Sequence, residues 1–157
     1  METCNYLEER GVEVTYLNVD KNGLISLDEL KNAIRPDTLL ICVMYVNNET
    51  GVIQPIREIG LLAIENDIVF FCDATQAVGK IIVDVEKDVI DMLCFSGHKL
   101  NGPKGVGVLY KRKNINLTPQ MHGCRQENGL IAGTYNTPLI VGLGKKLRDC
   151  FNRFRNW

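Results

Sequence analysis

An α/β fold with a mostly parallel sheet is predicted by three long apolar runs, residues 38–46, 68–72 and 89–95, separated by helical or turn sequence. Each run stops at a polar cluster: Asn47-Asn48-Glu49, Asp73-Ala74-Thr75-Gln76 and Ser96-Gly97-His98-Lys99. Runs that are apolar without alternation suit strands buried on both faces. Helices covering both faces of such a sheet make a three-layer sandwich.

The remaining elements follow in order. Residues 2–10 read as the inside of a helix, with no capped start. Residues 12–17 (VEVTYL) are β-branched with period two and predict a strand. Asp20 to Gly23 (DKNG) is a turn. Ser26 and Glu29 form a capping box opening a short amphipathic helix that runs to Ile34. Pro55 introduces a helix over 56–65, with Ile56, Ile59, Leu62 and Ala63 on one face. After the third run, the Gly/Pro-rich stretch 101–107 (NGPKGVG) turns the chain into a strand at 106–110. The segment from Pro138 is helical, with Leu139, Val141, Leu143 and Leu147 among its apolar positions.

Composition excludes several classes. The 157 residues suffice for one domain, and Lys+Arg 18 against Asp+Glu 19 gives no electrostatic footprint for nucleic acid. No apolar stretch is long enough for a membrane span. The six cysteines are scattered without a C-x-x-C pair, which reads as a reducing, cytoplasmic setting. Cys42, Cys72 and Cys94 sit inside apolar runs, as small hydrophobes do. Neither G-x-G-x-x-G nor G-x-x-x-x-G-K-[ST] is present, so a nucleotide-binding domain is disfavoured.

In an open α/β sheet ligands bind beyond the carboxyl ends of the strands, where the three polar clusters fall. Lys99, beside His98 and after an apolar run, has the setting of a nucleophilic lysine whose proton burial would loosen. Asp73 is placed to face a ring nitrogen and keep it protonated. Ser96 and His98 offer hydrogen bonds to a phosphate, and Gly97 would allow close backbone approach. Taken singly, each residue also has an ordinary reading: Asp73 as a turn residue, Lys99 as a solvated amine, His98 as a structural histidine.

Taken together, VNNETGVIQPI (46–56), DATQAVGK (73–80) and SGHKLNGPKGVGVLY (96–110) resemble the NifS/IscS-type cysteine desulfurases, class V aminotransferase-like enzymes of fold-type I that use pyridoxal 5′-phosphate (PLP). The resemblance runs over essentially the whole chain. It implies the central part of the PLP-dependent transferase large domain, with a phosphate-loop region before it and a small C-terminal domain after it.

The resemblance also implies roles. Lys99 would join the cofactor through its amine. Asp73 would pair with the pyridine nitrogen, Gln76 would bond the ring's phenolic oxygen, and Asn48 would lie near that oxygen and the substrate carboxylate. Ser96 and His98 would hold the phosphate. Thr134 would reach the phosphate of a partner subunit, implying a homodimer. The implied reaction converts L-cysteine to L-alanine and passes sulfur as persulfide to an acceptor protein such as an iron–sulfur scaffold, or toward thiolated tRNA. The family's persulfide cysteine lies further downstream, and none of the six cysteines matches its motif. Cys124, after His122-Gly123, is the one loop cysteine in reach of a histidine.

The stretch 123–131 departs from the family pattern. Cys124 and Arg125 stand where the family has glycines, and Asn128 and Ile131 where it has arginines. Lost guanidinium groups remove bidentate anion contacts, which weakens phosphate binding across the dimer. Weak cofactor binding is expected of the chain alone, because the family's phosphate loop and the histidine that stacks on the cofactor ring fall in the region expected before it. A selenocysteine lyase, another class V enzyme, and a non-catalytic module that keeps the fold are the other readings.

Overall fold

The computed structural model describes residues 2–155. Four strands, β1 (Leu40–Met44), β2 (Val69–Asp73), β3 (Met92–Ser96) and β4 (Gly107–Lys111), form a sheet in the order β1-β2-β3-β4. The first two pairings are parallel and β4 returns antiparallel to β3. Four helices accompany them: α1 (Glu2–Glu8), α2 (Leu27–Ala33), α3 (Ile56–Glu65) and α4 (Thr137–Arg155). The predicted class, α/β with a mostly parallel sheet, is the class observed.

Strand register separates the two sheet faces. Ile41 pairs with Phe70, Val43 with Cys72, and Cys72 with Leu93, so these side chains share a face. That face is the core, closed by Leu30 of α2 and by Ile56, Ile59 and Ala63 of α3. Phe70, Cys72, Ile59 and Ile90 are fully buried there. The opposite face carries Cys42, Phe71 and Met92 in one row and Met44, Asp73 and Cys94 in the next. On that side the Cys42 thiol is pushed up by burial first and then by the nearby Cys4 of α1.

Local chemistry explains the elements. Ser26 accepts from Glu29 N at 3.2 Å and caps α2 as predicted. The reciprocal half of the capping box is not made, because Glu29 Oε1 accepts from Asn18 N instead. Asp20 Oδ1 takes the amides of Asn22 and Leu24 and builds the predicted turn. α3 has the predicted bounds, and Gly60 lets it close onto the backbone at Asp88 and Val89.

Two expectations are corrected. Residues 12–17 form no ladder; beside them stands only the isolated Val19–Ile25 bridge. Their alternation lacks a neighbouring strand, and strand formation depends on cross-strand partners. Tyr16 instead donates to Glu8 Oε2 at 3.1 Å, binding this segment to α1. β1 is not covered on both faces: Leu40 is 51% exposed and Cys42 is exposed, because they project from the face opposite the core, and Leu39 just before the strand is 82% exposed. In α4, Leu143 and Cys150 are buried, whereas Val141 lies on the solvent side.

No helix among the described residues is long and apolar enough to cross a membrane. All six cysteines are free.

Candidate active site

The carboxyl ends of β1, β2 and β3 converge, and each positions its polar cluster differently. After β1, Tyr45 N donates to Asp73 O (2.8 Å), and Asn47 N to Val52 O (2.9 Å). Asn47 Oδ1 accepts from Glu49 N and Thr50 N, both at 2.9 Å, so this side chain is consumed in building the loop. The next residue, Asn48, is exposed.

After β2 the backbone turns at Ala74, whose carbonyl accepts from Ala77 N and Val78 N. Thr75 N donates to Asp73 Oδ1 at 2.9 Å, which fixes the carboxylate at the strand end. Gln76 Oε1 accepts from Lys80 Nζ.

After β3 the chain enters a 3-10 turn, Gly97–Leu100, closed by Asn101 in the left-handed region (φ 60°). Ser96 Oγ and His98 Nδ1 are hydrogen-bonded to each other at 2.8 Å. The turn is braced from below. Leu100 is buried, and it and Cys150 of α4 close around Gly79, where a Cβ would meet Leu100 Cδ2 at 2.9 Å and Cys150 Sγ at 3.1 Å.

A cavity of about 230 Å³ opens at this edge. Four predicted residues line it: Asn48, Asp73, Gln76 and Lys99. Met44, Val46 and Thr75 complete the wall. Sequence reading missed Met44, although it is the register partner of Asp73 and its Sδ receives Asn47 Nδ2 at 3.7 Å. Its signal was present in the alternation of β1, which puts Met44 on the face of Leu40 and Cys42. Only the pairing with β2 shows that this face carries Asp73.

Ser96 and His98 do not line the cavity but adjoin it through the turn that carries Lys99. Thr134, exposed in the loop before α4, is not brought to it. Cys124 is likewise exposed and apart from it.

One expectation changes, and one residue gains a packing role. Lys99 is exposed, so the burial invoked for it is absent. Gly97 serves packing within the chain: a Cβ there would stand 3.0 Å from both Pro103 O and Val106 O. Its small size lets the turn close on the Gly/Pro loop, where Gly97 N donates to Val106 O and Gly102 N to Gly97 O.

The electrostatic signature lies on the open sheet face. Burial, then the charge of Asp73, pushes the Cys94 thiol up to about 11. A larger groove, about 520 Å³, lies between the start of α2 and the loop before α3. Its buried amide, Gln54, is fully used, accepting from Ile25 N and donating to Gly23 O.

The donor set of the smaller cavity fits a flat, charged heteroaromatic group such as PLP. It has one fixed carboxylate, two amides and one primary amine beside an apolar wall of Met44 and Val46.

The sequence pattern of the family described as "Aminotransferase class-V" matches residues 2–154. "Cysteine desulfurase IscS" of Methanosarcina thermophila is 57% identical over 145 residues, covering 92% of this chain and 36% of that protein. "Cysteine desulfurase, mitosomal" of Trachipleistophora hominis is 50% identical over 152 residues, covering 96% and 34%. Among solved structures, "SspA in complex with cysteine" is 51% identical with a TM-score of 0.91, covering 94% of this chain and 43% of that one. A "NIFS-LIKE PROTEIN" superposes with a TM-score of 0.94 at 38% identity, covering 99% and 43%. The chain thus spans about a third of the length of these curated relatives. With a family pattern matched along nearly its whole length and relatives at this level of identity, the chain belongs to the class V aminotransferase family.

Proposed function

We propose that this chain carries the cofactor-holding centre of a PLP-dependent cysteine desulfurase, the central part of that enzyme's large domain. One observation carries the reading: Asn48, Asp73, Gln76 and Lys99, delivered by three different strand ends, line one cavity. Relatives named cysteine desulfurase at 50–57% identity support the choice among class V activities.

When bound, PLP supplies an electron sink for negative charge developing beside the substrate's amine. The residues of the chain do the rest. The Asp73 carboxylate, fixed by Thr75 N, would pair with the ring nitrogen and favour its protonated form. The Lys99 amine, on a braced turn and open to solvent, would hold the cofactor and serve as the proton carrier at the substrate. Gln76 would hydrogen-bond the ring's phenolic oxygen, and Asn48 would lie near that oxygen and the substrate carboxylate. Ser96 and His98, joined to each other, would hold the phosphate. Thr134, which does not line the cavity of its own chain, would serve the phosphate of a partner subunit in a homodimer.

The proposed substrate is L-cysteine and the proposed products are L-alanine and a persulfide on an acceptor protein of iron–sulfur assembly. The acting cysteine thiolate is assigned to no residue of this chain. Six free cysteines support a reducing compartment such as the cytoplasm. Relatives named mitosomal and mitochondrial keep an organelle in play.

Absorption spectra of the chain titrated with PLP test the reading, with Lys99→Ala as the control. A visible band that needs excess PLP and is lost in Lys99→Ala is expected. Absence of any Lys99-dependent band at saturating PLP would overturn it.

A further inference from the structure

The chain after β2 carries a second lysine, Lys80, which the reading of the cavity has not used. Its backbone is fixed by stacked turns: Ala77 N and Val78 N donate to Ala74 O, and Lys80 N and Ile81 N donate to Ala77 O. Gly79, just ahead of it, is left-handed (φ 78°) and enclosed by Leu100 and Cys150. The chain therefore doubles back against the turn that bears Lys99, and Lys80 Nζ donates to Gln76 Oε1. Among the described residues Lys80 has no carboxylate partner, so this amide is what the ammonium is bound to.

A glutamine side chain has two unlike ends, an acceptor oxygen and a donor nitrogen, and an ammonium can only donate. A cation on one side of Gln76 therefore settles which end points where. The oxygen lies against Lys80, and Nε2 is the end left for the cavity that Gln76 lines.

We propose that Lys80 is a positioning residue for Gln76: by holding Oε1 it presents Nε2 to the cavity as a donor. That this donor meets the phenolic oxygen of a cofactor rests on the function proposed above; the orientation of the amide does not. An ionised phenolic oxygen takes hydrogen bonds and gives none, so a reversed amide would set oxygen against oxygen. Lys80 itself is exposed, and its replacement leaves the fold intact.

The carbonyl-carbon NMR signal of the Gln76 side chain, assigned by its loss in Gln76→Ala, tests the orientation without cofactor. It is expected to move upfield in Lys80→Met, which takes the donor from the oxygen, and to keep its place in Lys80→Arg, which returns one. A signal unmoved in Lys80→Met overturns the proposal. Titration with PLP reads the consequence. Lys80→Met is expected to weaken binding about fivefold, the worth of one hydrogen bond, and Lys80→Arg to bind as the unmutated chain does. In a Gln76→Ala background Lys80→Met changes binding no further, because a residue acting through Gln76 has nothing left to position. The same fivefold loss in that background would make Lys80 a direct attraction for the anionic cofactor and overturn the positioning role. If the carbon signal follows Lys80 and no form binds PLP, the orientation of Gln76 stands and the proposed function fails.

Discussion

Gly60 of α3 lies against the backbone of Val89, where a Cβ would stand 2.6 Å from Val89 O and 2.8 Å from Asp88 O. Val89 itself is β-branched yet left-handed, with φ 55°. The helix and the segment leading into β3 are therefore locked by a contact only glycine permits. Alanine at this mid-helix position would gain about 1 kcal/mol in helix propensity. Overpacking against rigid carbonyls costs about 1–3 kcal/mol and outweighs that gain. Gly60→Ala is expected to destabilise the fold by up to about 2 kcal/mol, read from the urea midpoint.

Asp91 ties the same region together. Its Oδ2 accepts the amide of fully buried Phe70 at 2.9 Å, and its Oδ1 pairs with Arg112 Nε at 3.1 Å. Asp91→Ala leaves a buried N–H unpaired and should cost about 1–3 kcal/mol. Asp91→Asn keeps an acceptor for Phe70 N and should cost less. Equal losses for the two variants in thermal unfolding would contradict this assignment.

Alkaline pH should weaken the fold. Burial, then Asp88, raises the Tyr45 phenol to about 12, and burial, then Asp73, pushes the Cys72 thiol well above its ordinary range. Both groups hold their protons more tightly folded than unfolded. Stability is therefore full below the unfolded values, near 9 for the thiol and 10 for the phenol. It falls as pH rises through the folded ones. Tyr45→Phe should flatten the decline between pH 10 and about 12, measured by urea unfolding across that range.

The open face of β1 should drive self-association. Leu39 and Leu40 are mostly exposed at the start of an edge strand, and paired strand edges are a common route to aggregation. Light scattering should show oligomers that diminish in Leu39→Lys and Leu40→Lys. A monodisperse monomer in the unmutated chain would contradict the prediction.

Periodicity made α3 and the carboxyl-end clusters legible, because a 3.6-residue apolar face and a polar stop are local signals. What depends on partners was not legible. Residues 12–17 alternate like a strand but meet no ladder. Nothing within β1 reveals that it lies at an edge. The site divides in the same way. Asp73 and Lys99 announce themselves by residue type and place. The flanking of Asp73 by Met44 and Cys94 is set by strand register, which no single segment encodes. The packing need at Gly97 was likewise not legible, since its neighbours Pro103 and Val106 come close only through the folded loop.

The central claim is that this sheet edge is a PLP site built around Lys99. Its most direct test is to incubate the chain with PLP, reduce with borohydride and map the label by peptide mass spectrometry. The account predicts that the pyridoxyl label concentrates on Lys99, and that Asp73→Ala diminishes it there without altering background labelling of exposed lysines such as Lys113. Label spread over the surface lysines with no preference for Lys99 would contradict it.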